Sequence, residues 1–183
     1  MRSLRVLLPG FAALLAAAAA YSSQSFHQQR VTRAVAVIHP TEGSKVKGLL
    51  VFVQKNGYVE ITGKITGLTP GLHGFHIHEY GDCSDPKALS TGGHYNPTNK
   101  PHGAPDSTER HVGDLGNIQA DSSGTAIVHI RDRVISLNGP YSIVGRGVIV
   151  HAGPDDFKTQ PTGNAGGRVG CGVIGIAAPQ AAE

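Results

Sequence analysis

The chain has 183 residues, of which only 16% are charged, with 25 glycines, no tryptophan and a formal net charge of +3. One domain fits that length, and few charges with many glycines exclude a disordered polymer and disfavour a helical bundle, since glycine inside a helix costs about 1 kcal/mol relative to alanine. With 16 basic against 13 acidic residues and no long basic run, nucleic acid is not expected as a partner.

Arg2 and Arg5 precede an apolar stretch from Val6 to Ala20, and polar YSSQS follows. A charged start, an apolar centre and small residues before a polar segment are the marks of a secretory signal, so residues 1–20 are expected to be a signal peptide, with an uncleaved membrane anchor as the alternative. The stretch is short of the roughly 20 residues that cross a bilayer, and Pro9-Gly10 interrupts it, so no stable membrane association is expected after cleavage. Periplasmic or extracellular residence follows. Removing Arg2 and Arg5 leaves 14 basic against 13 acidic residues, so the mature chain is nearly neutral at +1.

From residue 31 onward, short alternating segments are separated by turn chemistry. VTRAVAVI (31–38) is followed by KGLLVFVQ in the 48–55 region, then Asn56-Gly57, a strong hairpin signal, and YVEITGKI (58–65). After Thr69-Pro70-Gly71 come LHGFHIHE (72–79), GDLGNIQA (113–120), TAIVHIRD (125–132), YSIVGRGVIVHAG (141–153) and RVGCGVIGIA (168–177). No segment sustains a 3.6-residue apolar period, so about eight strands predict an all-β antiparallel sandwich or Greek-key barrel. Residues 80–112 and 152–167 are long, strand-poor and rich in turn formers, which marks them as functional loops.

Cys83 and Cys171 are the only cysteines, and in an exported chain they are expected to form a disulfide, with two buried thiols as the alternative. The ten histidines are the anomaly of the composition. His76 and His78 stand two apart on a predicted strand and leave the same face, where two imidazoles can chelate a metal. His94, His102, His111 and Asp114 make up a full tetrahedral set for zinc, with no position left for water, as in structural sites. His151 ends an apolar strand at the start of the second loop and can complete the His76/His78 group as a copper or iron site with an open position. His73 is expected to pack and hydrogen-bond, His129 to point out from its strand, and His27 and His39 to lie at the chain start.

GLHGFHIHEYGDCS (71–84), GGHYNP (92–97), HGAPDSTERHVGDLGNI (102–118), VIVHAGPDD (148–156) and TGNAGGRVGCGVIGIA (162–177) resemble the copper/zinc superoxide dismutase family, in the right order over residues 34–178. The resemblance implies an eight-stranded antiparallel Greek-key barrel at 34–178, preceded by an extension at 21–33 and followed by a tail at 179–183. It implies one copper and one zinc ion per subunit. Copper would be held by His76, His78, His94 and His151, and zinc by His94, His102, His111 and Asp114, with His94 shared. It implies a carboxylate at Asp155 linking His76 and His102, a disulfide between Cys83 and Cys171, and Thr162 narrowing the channel mouth. Arg168 and His94 would be catalytic, with superoxide as the substrate, dioxygen and hydrogen peroxide as products, and Arg168 drawing in the anion. Lys158 is the only cation between His151 and Arg168, which leaves Arg168 to dominate local attraction. A homodimer through the Val144, Gly145 and Ile176 region is also implied. The alternatives are a non-enzymatic copper/zinc carrier on the same barrel and a cupin-like metal oxygenase built around the His76/His78 pair. The latter wants a carboxylate ligand beyond the pair, whereas Glu79 points to the opposite strand face.

Overall fold

The computed structural model describes residues 30–178; the expected signal peptide at 1–20, most of the extension at 21–33, His27 and the tail at 179–183 lie outside the described residues. Among the described residues nine strands run in chain order: β1 (Arg33–Pro40), β2 (Lys47–Lys55), β3 (Tyr58–Thr66), β4 (Gly71–His78), β5 (Asp114–Ala120), β6 (Ala126–Asp132), β7 (Gly147–His151), β8 (Arg168–Val173) and the two-residue β9 (Gly175–Ile176). They are hydrogen-bonded in the order β2-β3-β6-β5-β4-β7-β8-β1-β9, and β1 also pairs with β2, which closes eight antiparallel strands into a barrel. The β3–β4 and β6–β7 connections each pass over two intervening strands, so the topology is Greek-key. Among the described residues no helix is long and apolar enough to cross a membrane.

Alternation builds the barrel. Ala34, Ala36 and Ile38 of β1, Leu50 and Phe52 of β2, and Val59, Ile61 and Ile65 of β3 all turn into one core, while their neighbours face outward. Asn56-Gly57 forms the expected two-residue turn, with Lys55 opposite Tyr58 and Gly57 at φ 82°, a conformation glycine adopts without steric cost.

Two strand boundaries differ from expectation. In the segment at 141–153, only Gly147–His151 is a strand, because Ser142 turns back on Gly139 and Arg146 on Ile143 before β7 begins. The last segment breaks at Ile174, which is fully buried and exchanges hydrogen bonds with Gly145 and Arg146 of that turn rather than staying in the β8 ladder. The two long connections at 79–113 and 152–167 contain no strand, only one turn of 3-10 helix at Leu89–Thr91.

Candidate metal centre

β4 and β7 are neighbours, with Phe75 opposite Val150 and His76 opposite Ile149. Phe75, Ile77, Val148 and Val150 face the barrel core, so the strand period sends His76, His78 and His151 out of the opposite face. The long connections cover that face, leaving the three imidazoles 0%, 1% and 4% exposed. His94 is delivered to them by an antiparallel bridge with His78, flanked by hydrogen bonds from Glu79 N to Gly93 O (2.9 Å) and from Tyr95 N to Ile77 O (2.8 Å).

Two donor groups result. In the first, His76, His78, His94 and His151 each offer a ligand atom within 4.8 Å of the others; in the second, His94, His102, His111 and Asp114 do the same. His94 belongs to both. Its ring centroid lies 4.0 Å from that of His76 and 5.1 Å from that of His78 on one side, and 5.3 Å from His102 and 5.5 Å from His111 on the other.

Hydrogen bonding decides which nitrogen faces each centre. His76 Nε2 and His102 Nε2 donate to the two oxygens of Asp155, at 2.7 and 2.9 Å. His78 Nδ1 donates to Gly92 O (2.9 Å) and His151 Nδ1 to Gly166 O (3.1 Å). Carbonyl and carboxylate oxygens only accept, so each of these rings carries its proton on the bonded nitrogen and a lone pair on the other. The lone-pair nitrogens, His76 Nδ1, His78 Nε2, His102 Nδ1 and His151 Nε2, are buried without hydrogen-bond partners, as are His94 Nε2 and His111 Nδ1. Buried acceptors facing one another without donors are costly, and a cation between them removes that cost. Asp114 fits the same pattern. Its Oδ2 is anchored by Gly103 N (3.1 Å) and His111 N (2.9 Å), while Oδ1 lies 2.8 Å from His94 Nδ1 and 3.2 Å from His111 Nδ1.

Burial and neighbouring charge set how these groups titrate. Burial holds His78 well below the ordinary imidazole range, reinforced by the charges of His94, His151 and Arg168. Burial, with repulsion from His76, carries His151 down to about 3. Burial takes His94 to about 4 against the pull of Asp114. In His102 burial is outweighed by attraction to the Asp114 and Asp155 carboxylates, which raises it to about 9, so a cation bound at its Nδ1 displaces a proton. Burial opposes ionisation of Asp114 and Asp155 too, but bonds from the imidazoles hold both carboxyls well below the usual carboxylate range. His78, His94 and His151 of the first group are therefore held neutral, as imidazole ligands of a transition metal must be, and the second group adds a carboxylate.

Arg168 opens β8 beside this centre. Its Nη1 donates to Ala88 O and to Thr91 Oγ1 (2.8 Å), and its Nη2 to Gly92 O (2.6 Å). Burial lowers its pKa from the usual guanidinium value. The disulfide Cys83–Cys171 forms, with Cα atoms 5.9 Å apart, and ties the connection that carries those three acceptors to β8 itself. Thr162 is half-buried in the second connection.

Residues 46–174 match the protein family described as copper/zinc superoxide dismutase (SODC). The chain belongs to this family. It is 53% identical over 151 residues to superoxide dismutase (Cu-Zn) 3 of Arabidopsis thaliana, covering 79% of this chain and 90% of that protein. It is 52% identical over 155 residues to superoxide dismutase (Cu-Zn) 2 of Mesembryanthemum crystallinum, covering 81% and 97%. A crystal structure of the clock protein EA4 superposes with a TM-score of 0.75 at 47% identity, covering 81% of this chain and 96% of that one.

Within this superoxide dismutase fold, several positioning groups were not legible as site residues. Asn117 of β5 accepts from Asp155 N at 2.8 Å and donates to Asp155 O at 2.9 Å, gripping the backbone of the carboxylate that links His76 and His102. Its place in the GDLGNI run, three past Asp114, was the one available signal. The acceptors holding Arg168, His78 and His151 are mostly backbone carbonyls, which no residue type announces. His73 bridges the carbonyls of His151 and Thr69, each at 2.8 Å, and so ties β7 to the β3–β4 connection.

Proposed function

We propose that the chain works as an exported, homodimeric superoxide dismutase in which His76, His78, His94 and His151 hold copper and His94, His102, His111 and Asp114 hold zinc. The reaction joins two superoxide anions and two protons into one dioxygen and one hydrogen peroxide. Copper held by the first group would supply one-electron redox chemistry, and zinc held by the second would supply a fixed charge. The second donor set is closed, so it pins His94 and the 79–113 connection.

The residues do the rest. Arg168 attracts the anion and orients it with a guanidinium whose direction is set by Ala88, Thr91 and Gly92. His94 keeps Nδ1 toward Asp114, so its Nε2 is the atom that takes up a proton and passes it to the forming peroxide. Asp155 fixes the rings of His76 and His102 from behind, coupling the two groups. Thr162 narrows the mouth of the approach.

Support for pairing comes from an apolar surface around Gly145. Gly81 packs against the Gly145 carbonyl and the exposed Val173, which shares one surface depression with exposed Val37 and with Gly175, and Ile176 beside Gly175 is 67% exposed. Export rests on the charged and apolar start of the chain and on the disulfide, with residues 1–20 as the signal, 21–33 an extension, 34–178 the working domain and 179–183 a tail.

One observation carries the reading: buried lone-pair nitrogens converge on both sides of the His94 ring. Metal analysis of the purified chain beside a superoxide-consumption assay tests it. The expected result is one copper and one zinc per chain with activity; zinc alone and no activity would contradict it.

A further inference from the structure

Gly163 lies in the β7–β8 connection at φ +69°, where its carbonyl accepts from Asp156 N (2.9 Å) and its amide donates to Thr159 O (2.7 Å). These bonds seat its α-carbon against the Asp155 carboxylate. A Cβ built there would overlap Asp155 Oδ1 outright and come within 2.6 Å of both Asp155 Cγ and His102 Nε2. The overlap falls on the 2.9 Å hydrogen bond between His102 and Asp155, not on the 2.7 Å bond from His76 to the other oxygen.

Neither partner can move aside freely. Asp155 Oδ1 also accepts from Phe157 N (2.7 Å), and Asn117 holds the Asp155 backbone from both sides. His102 is tied through its amide to Gln160 Oε1 (2.8 Å), and Gln160 Nε2 returns to His102 O (2.9 Å). Side chains are otherwise accepted in this turn, since Asn164 next door is exposed at φ 53°.

We infer that Gly163 is a positioning residue for the metal centre: the absence of a side chain at this position is what lets Asp155 reach His102 and hold its Nδ1 toward the zinc group. The inference rests on the proposed role of Asp155 and extends it to a residue that contacts no metal. Loss of a group that orients a metal-bound histidine typically costs about 10–100-fold in metal affinity.

The experiment is a double-mutant cycle on the full chain, reading zinc affinity by chelator competition in the copper-free protein. Gly163→Ala is expected to weaken zinc about 10–100-fold, and Asp155→Ala by a similar factor. The pair together should cost no more than Asp155→Ala alone, because removing the carboxylate makes room for the methyl group. Gly139→Ala controls for backbone strain: it shares a positive φ of 74° with nothing within 4 Å, and zinc affinity should not change. In the zinc-loaded protein, proton NMR should show the His102 Nε2–H signal shifted or lost in Gly163→Ala while the His76 Nε2–H signal persists. If Gly163→Ala fails to fold, recovery of folding in the double variant supports the inference, and failure of both overturns it. Additive losses in the cycle, or an undisturbed His102 signal, would overturn the role of Gly163 alone. Unchanged zinc affinity in Asp155→Ala would overturn the Asp155 bridge and the inference with it.

Discussion

Reducing the Cys83–Cys171 bond perturbs both stability and catalysis, for reasons visible in its placement. The two cysteines are 88 residues apart, and in the chain-entropy account closing a loop of that size removes about 4.5 kcal/mol of unfolded-state freedom. For a domain of this size each kcal/mol moves the melting temperature by about 2–4 °C, so reduction is expected to lower it by about 9–18 °C. Calorimetry of the metal-loaded chain, with and without a non-chelating phosphine reductant, reads this directly. A second effect should accompany the first. Ala88, Thr91 and Gly92, which hold the Arg168 guanidinium, lie just beyond Cys83 in the tied connection, and Cys171 is three residues past Arg168 on β8. Superoxide consumption should therefore fall at temperatures where the barrel is still folded and both metals are still bound. A melting point lowered by less than about 3 °C, or full activity in the reduced, folded protein, would refute the reasoning.

Other perturbations separate the parts of the centre. Asp114→Ala should release zinc and loosen the 79–113 connection, seen as faster amide exchange there; unchanged zinc content would show that Asp114 is no ligand. Arg168→Ala should slow the reaction with superoxide about 10–100-fold while copper and zinc stay bound, and an unaltered rate would remove the guanidinium from the mechanism. Ile176→Lys, in the apolar surface around Gly145, should give a monomer in sedimentation; a persistent dimer would place the interface elsewhere. Hydrogen bonds from Thr159 and the Lys158 amide hold the Asp156 carboxyl below its ordinary range. Its folded pKa is depressed, so its contribution to the second connection is present above the ordinary carboxylate value and lost as pH falls through the folded one. An NMR titration should find Asp156 with a lower midpoint than in the unfolded chain, and an equal or higher midpoint would contradict this.

Much of the barrel was legible because strands advertise a two-residue period. Alternating Ala34, Ala36 and Ile38, the Asn56-Gly57 turn and the His76/His78 spacing all convert directly into which side of a strand a residue occupies. The two misplaced boundaries have a tertiary cause: residues 141–146 and Ile174 are apolar enough to read as strand, but they bond to each other across the chain instead of continuing a ladder. The donor residues of the centre could be read from residue type and spacing. Which nitrogen of each ring faces inward could not, since that depends on the carbonyls of Gly92 and Gly166 and on a carboxylate 79 residues from His76. Gly163 escaped for a related reason: its contribution is an empty volume, and an empty volume has no sequence signature of its own.

The position of the His94 ring can be tested in one measurement. Crystals of the metal-loaded chain, with anomalous diffraction recorded at the copper and zinc absorption edges, should show two separate ions on opposite sides of the ring or of its bond positions. Copper should lie toward Nε2 among His76, His78 and His151, and zinc toward Nδ1 beside Asp114. Both ions on one side, or a His94 side chain turned away from either, would contradict the shared-imidazole arrangement.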